Sequence, residues 1–416
     1  MSVEIKRKFK VVGAALLAAG VAANALSGCS SSGTTTSGGS SAAQGTYTFW
    51  DPYPQYDETS AWAKVIDSCA ATAGVTIKRS GYDTSGLTNK ALLAGQQNNS
   101  ADILLVDNPV VSTLASAGIL TTTDQNKLAV GDVATNILSA GVIDGKTYGV
   151  PIGANTLALY YNPKVLKAAG VDVASITDWT SLTAALQKVT AAGHKGITFS
   201  AIGTEEGSFQ FLPWFWGSGA DLTKLDSDKA VSSLQLWTDW VKKGYAPNSV
   251  INNTQTTSWQ EFQTGDFAFA ENGTWQKADA TKMGDQVVPL PGATGGSAPA
   301  PTGGEFLTIP IQKDTSRYAV SSKIVACLTS TENVVKTDNT LNYISAGKDA
   351  QAAQLSGDAT LKPWVDAVQV AKARTGDNLG TKYPKISEQL WTAVQKALSG
   401  SASPADALKA AQAAVK

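Results

Sequence analysis

Histidine, methionine and cysteine are nearly absent from this 416-residue chain, which has one His, two Met and three Cys. The single histidine, His194 in AAGHKG, removes Ser-His and Cys-His catalysis and reads as an exposed turn residue. No Cys/His/carboxylate cluster has ligand spacing, so no metal is expected. Arginine is scarce as well. Past the N-terminus only Arg79, Arg317 and Arg374 remain, too few to clasp a phosphate, and 33 basic against 34 acidic residues leave no basic stripe for nucleic acid. Beyond Thr46 no apolar run approaches a membrane span. The 371 residues from Thr46 to Lys416 exceed one compact core and predict two domains.

The one extended apolar run lies at the N-terminus. MSVEIKRKFK carries four basic residues and is followed by VVGAALLAAGVAANAL, the order of a signal peptide, here residues 1–28. The run ends in LSGC, which resembles the bacterial lipobox and marks Cys29 for lipidation. Residues 29–45 then form a Ser/Gly/Thr tether whose sixteen-residue stretch SSSGTTTSGGSSAAQG spans about 20 Å at Gly/Ser stiffness. A body anchored by lipid to the outer face of a cell membrane is expected. With its Ala/Ser/Thr/Gly-rich composition, a Gram-positive-type surface is favoured over a periplasm. Cys69 and Cys327 remain, either as a disulfide or as two buried thiols.

Short apolar runs alternate with amphipathic stretches, the pattern of an α/β chain. TYTFW, VTIKR and DILLV read as strands separated by two helices, two β-α-β units that predict a mostly parallel sheet. TLALYYN, GITFS, GDFAFAEN and GEFLTIP add further strands, and the chain ends in helices, the last with Ser403 as N-cap and Pro404 at its first position. In open sheets ligands bind at the carboxyl ends of strands. That rule singles out Trp50 and Asp51, Tyr82 and Asp83, and Asp107 and Asn108, with helix capping as the alternative role for the acids.

Phe209–Asp221, FQFLPWFWGSGAD, packs five rings into eight residues and breaks at Gly217 and Gly219. Phe211, Trp214 and Phe215 recur at helical spacing and predict a buried face. A sugar site also needs flat rings for C–H faces and two-way hydrogen bonders for hydroxyls, which the eleven Trp, eleven Tyr and strand-end Asn, Asp and Gln can supply.

Taken in order, TFWDPY, NNSADILLVDN, LASAGIL, DGKTYGVPIGANTLALYYNPKVLKAAG, ITDWTSL, EFQTGDFAFAENGTW, PLPG, GGEFLTIP and SGSASPADALKAA resemble the extracellular solute-binding proteins of carbohydrate ABC transporters. The resemblance implies a two-lobed periplasmic-binding-protein-like α/β fold with a ligand cleft between lobes joined by a hinge. The first lobe is expected to take residues 46–155 and 304–345, the second 156–303 and 346–416. It further implies cleft roles for Asn155, Glu205, Glu206, Phe209, Gln210, Asn272, Trp275, Gly304, Glu305, Arg374 and Tyr383. The implied function is capture of a mono- or oligosaccharide for delivery to permease subunits, by a monomer with no cofactor and no enzymatic step. Two alternatives stand beside it: a secreted glycoside hydrolase, which needs a carboxylate pair across the scissile bond, and a same-fold receptor for a polyol or glycerol phosphate.

Overall fold

The structure is a computed structural model and describes residues 45–376 and 379–416. The signal segment 1–28, the lipidation site Cys29 and the tether up to residue 44 lie outside the described residues. Among the described residues no helix is long and apolar enough to cross a membrane.

Two sheets organise the chain. The first has five strands in the order Thr76–Gly81, Thr46–Asp51, Ile103–Asp107, Glu305–Thr308, Val150–Pro151. Its first three strands are parallel, as two β-α-β units require, but Glu305–Thr308 returns antiparallel to Ile103–Asp107, so the sheet is mixed. The second sheet has the order Gln286–Val288, Leu157–Tyr161, Phe267–Gly273, Lys195–Thr198. Each sheet carries its own apolar core. The first lobe packs Tyr47, Phe49 and Trp62 against Ile324 and Val325, and helices Ala61–Thr72 and Tyr318–Leu328 are joined there by a Cys69–Cys327 disulfide.

The second lobe is built around the helix Glu205–Gly217. Phe211, Trp214 and Phe215 are fully buried, as their spacing predicts, yet burial extends all round the helix from Gly207 to Trp216. Trp214 meets Trp240 edge-on with centroids 5.1 Å apart, and Phe199 stacks on Trp237 at 4.0 Å. Each ring withdrawn from water contributes about 2–3 kcal/mol, so these aromatics form the lobe's main apolar mass. The helix ends where Gly219 adopts φ +79°.

Three segments cross between the sheets. Gly153–Ala154 pairs with Ile344–Ser345, Asn155 bridges Gly303, and Pro301–Thr302 runs parallel to Lys372–Ala373. Gly304 sits at φ +115°, where a Cβ would lie 2.4 Å from the Gly153 carbonyl oxygen, so no side chain fits at this crossing. One apolar cluster draws on both sides of the crossings, joining Ile137 and Ala154 to Tyr160, Trp259 and Trp364.

Candidate functional site

The crossings bring the two lobes together over a polar cluster centred on Arg374. Its guanidinium reaches into the first lobe, with Nη2 2.6 Å from Asp107 Oδ1 and 2.8 Å from Asn108 Oδ1. Within the second lobe Nη1 donates to Glu205 Oε1 at 2.7 Å, and the guanidinium carbon lies 4.8 Å from the Phe209 ring centroid. Burial works against the charge of Arg374, but the carboxylates of Asp107 and Glu205 outweigh it and hold the group above the ordinary arginine value. The Tyr383 hydroxyl donates to Glu205 Oε1 at 2.7 Å and Ser387 Oγ to Oε2. Asn108 Nδ2 donates to the Thr302 carbonyl, which ties the cluster to a crossing segment.

Beside this cluster lies an aromatic floor. Phe209 and Trp275 face each other with centroids 6.4 Å apart, and Trp275 packs against the apolar cores of both lobes. Asn155 points its side-chain oxygen at the crossing, where a Cβ on Gly303 would lie 1.9 Å from it. Glu305 accepts from the Tyr343 hydroxyl at 3.3 Å, and burial, followed by the charge of Asp107, pushes its carboxyl up to about 8. Buried polar atoms on or beside the crossings that have no protein partner include Asn155 Oδ1, Glu305 Oε2, Thr274 Oγ1, Thr302 Oγ1, Asp338 Oδ1 and Arg374 Nε. Buried polar atoms are ordinarily paired, so a group of orphaned ones at the junction of the two lobes marks an unusual site.

The structure thus brings Asp107, Asn108, Asn155, Glu205, Phe209, Trp275, Gly304, Glu305, Arg374 and Tyr383 together. Other sequence candidates have protein partners of their own. Asp51 is fully buried and spends its oxygens on Arg79 (Nε to Oδ2, 2.5 Å), Trp62 Nε1 and the Tyr53 amide, a structural ion pair inside the first lobe. Gln210 is fully buried and links Ser200 to Glu271 within the second lobe. Asn272 turns inward, donating to the Gln255 carbonyl and accepting from the Gly273 amide. Asp83 caps the helix Thr84–Gln96 from an exposed position, accepting from Gly86 N at 2.8 Å. Glu206 accepts from the Gln255 amide at 2.9 Å. Trp50 packs edge-on against Tyr82 with Lys90 Nζ 4.8 Å from its ring centroid, a surface sandwich on the first lobe. His194 is half-buried rather than exposed, and its Nδ1 lies 3.1 Å from Asp266.

One residue escaped the sequence reading. A groove of about 510 Å³ runs between the lobes, lined by Thr113 and Ser116 on one side and by Thr381, Pro384, Lys385, Glu388 and Trp391 on the other. Trp391 flanks the buried stripe of its helix, which is Tyr383, Ile386, Ser387, Leu390, Ala393, Val394, Ala397 and Leu398. A Trp at the edge of its own helix's apolar stripe was the available signal. Among the described residues no group of three or more His, Cys, Asp or Glu side chains is placed to hold a metal ion.

Two lobes, crossing strands and a cleft lined by aromatic and hydrogen-bonding side chains define a solute-binding architecture. The profile of the bacterial extracellular solute-binding proteins matches residues 64–366, and the chain belongs to that family. A maltodextrin-binding protein of Bacillus subtilis is 24% identical over 327 residues, 72% of this chain and 71% of its own length. A putative binding protein of Brucella abortus is 24% identical over 54% of this chain, and the chain spans only 58% of that relative's length. Among solved structures, UgpB from Mycobacterium tuberculosis in complex with glycerophosphocholine matches with a TM-score of 0.77 at 22% identity, covering 90% of this chain and 98% of that one. That likeness shows the two-lobed fold.

Proposed function

We propose that this protein is the substrate-binding subunit of an ABC importer, which closes its two lobes over a sugar and passes it to the permease. The observation that carries this reading is the interlobe junction: the Phe209–Trp275 ring pair lies beside the Arg374 cluster and the unpartnered Asn155 Oδ1 and Glu305 Oε2, and a groove lined by Trp391 opens between the lobes. A sugar ring presents C–H faces and rim hydroxyls, which match such rings and polar atoms. The Trp391 groove adds room beyond one ring and favours an oligosaccharide. The hinge lies at residues 153–156, 301–304 and 344–345, where all three crossings meet. Lipidation at Cys29 would hold the body on the outer face of the membrane, acting as a monomer.

The maltodextrin relative supports the sugar reading, whereas the glycerophosphocholine neighbour supports a polar non-sugar ligand on the same fold. Arg374 is the one arginine of the cleft cluster and lies between two carboxylates, which favours an uncharged ligand over a phosphate. A thermal-shift screen of the body begun at Ser30 tests this, using maltose, maltotriose, longer maltodextrins, polyols and glycerophosphocholine. Ligand at about 100 times its Kd adds roughly 2.7 kcal/mol of stability, a shift of a few degrees. A response to maltodextrins, with the sugar recovered uncleaved, is expected. A response to glycerophosphocholine alone moves the ligand outside sugars, and shortened sugars bring back the hydrolase.

A further inference from the structure

Glu305 occupies an unusual position. It is the first residue of the strand that follows the Gly303–Gly304 crossing, and it pairs in register with Asp107, whose carboxylate meets Arg374 in the cleft. Its surface is more than nine-tenths buried, at 8% exposure. Oε1 accepts from the Tyr343 hydroxyl, while Oε2 has no partner. Tyr53 completes the group, its hydroxyl 3.4 Å from that of Tyr343 and also in hydrogen-bonding reach of the Glu305 carboxyl. Asn155, on the neighbouring crossing, also keeps an unpartnered side-chain oxygen at 4% exposure.

A carboxylate in this place would face its nearest charge of like sign across one strand pairing and have no cation of its own. The guanidinium of Arg374 makes its hydrogen bonds to Asp107, Asn108 and Glu205 instead. We infer that Glu305 is the hydrogen-bond donor on the floor of the cleft, presenting an acid O–H on Oε2 to a ligand oxygen while Asn155 Oδ1 accepts from a ligand hydroxyl. The inference rests on the solute-binding reading and deepens it. One donor and one acceptor on adjacent crossings suit neighbouring hydroxyls of an uncharged sugar or polyol, each of which both gives and takes a hydrogen bond.

The groups that face Glu305 agree with this state. Tyr53 and Tyr343 are buried and held well above the ordinary phenol range, so both are neutral. Asp338, on the helix Thr331–Leu341, is raised well above the usual carboxylate range by burial, before the smaller opposing effect of its bond from Ser345. Asp107 and Arg374 carry opposite charges and are paired with each other. Burial is the largest influence on Glu305 and keeps it protonated up to about pH 8. Above that point the free protein must regain a proton before the donor can act. Affinity would then be level from pH 6 to about 8 and fall by up to tenfold per pH unit above it.

Infrared difference spectra between the wild type and Glu305→Gln, taken on the soluble body from Ser30 with and without maltotriose, test the assignment. Expected are an acid carbonyl band at pH 7 in the free protein, its shift to lower frequency on adding maltotriose, and its replacement by carboxylate bands near pH 8. Glu305→Gln keeps a donor and should bind maltotriose with no alkaline loss. Where that variant does not fold, Tyr343→Phe removes the donor to Oε1 and moves the same band. A carboxylate band at pH 7 in the free protein overturns the inference whatever the ligand, and so does an acid band left unmoved by bound maltotriose. Failure of maltotriose to bind at all strikes the sugar reading instead, and the free-protein band then decides the state of Glu305 by itself.

Discussion

Arg374 and Asp107 come from opposite lobes and meet across the cleft, with Nη2 2.6 Å from Oδ1. Arg374 also pairs with Glu205 at 2.7 Å, so one guanidinium holds acids of both lobes. The Asp107 and Glu205 side chains keep 16% and 27% exposure, and both can rehydrate if the lobes part. Arg374→Ala should therefore open the protein rather than unfold it. Removing one partner of a fully buried pair costs about 3–5 kcal/mol, and the partial exposure here places the effect at or below the low end. Small-angle scattering should show a larger radius of gyration for the variant. An unchanged radius at low and high salt would mean that apolar contacts hold the lobes together instead.

Asp51 should behave in the opposite way. It is fully buried beside Arg79, and Asp51→Asn leaves that guanidinium without a countercharge inside the first lobe. A loss of about 3–5 kcal/mol is expected in urea denaturation, with the affinity of the folded fraction within twofold of wild type. Lost affinity at full stability would return Asp51 to the ligand-binding wall.

The contrast between Asp51 and Asp107 shows how far the sequence could be read. Both end strands of one parallel set, and the strand-end rule treats them alike. Alternation separates them: Tyr47, Phe49 and Asp51 share the buried face of Thr46–Asp51, so Asp51 follows two core rings inward. That signal was present in TYTFWD. Its partner was also within reach, since Arg79 lies in register with Phe49 on the neighbouring strand. By contrast Asp107 finds Arg374 at a separation of 267 residues, and no local pattern announces that pairing. The strands, the ring-rich helix and its glycine stop were legible because each depends on nearest-neighbour periodicity, whereas the antiparallel pairing of Glu305–Thr308 and of Leu157–Tyr161, against the mostly parallel sheet expected, depends on distant chain. Gln210 and Asn272 were misplaced for the converse reason, as buried amides serving the second lobe's own backbone look like cleft amides until the chain is folded.

Trp275 and Trp391 offer a test of ligand length. Trp275 faces Phe209 at the floor, so Trp275→Ala should weaken every bound sugar by tenfold or more, about 1.4 kcal/mol. Trp391 lines the outer groove, and Trp391→Ala should weaken long maltodextrins while sparing the shortest one that binds. Calorimetry across a maltodextrin series reads both. Equal losses at all lengths for Trp391→Ala would show that the groove is part of the primary site and not an extension of it.

Glu271 makes a prediction about pH that involves no ligand. Its side chain is fully buried in the second lobe, where Oε2 accepts from Trp214 Nε1 at 2.7 Å and Oε1 has no partner. Burial raises its carboxyl well above 4.5, against the smaller opposing effect of the Trp214 bond. The folded protein therefore keeps a proton that the unfolded chain loses near its ordinary value. For a group shifted upward, the stability it contributes is whole below about pH 4.5 and declines as pH rises toward the folded value, by up to about 1.4 kcal/mol per pH unit. Glu305 acts in the same direction between 4.5 and about 8. Glu271→Gln keeps an acceptor for Trp214 and has no proton to lose. Its Tm should lie close to wild type at pH 5 and above it at pH 8, with the gap widening steadily between. A gap that stays constant over that range would mean that Glu271 is ionised in the folded protein, and the buried carboxyl would then need a positive partner that its surroundings do not provide.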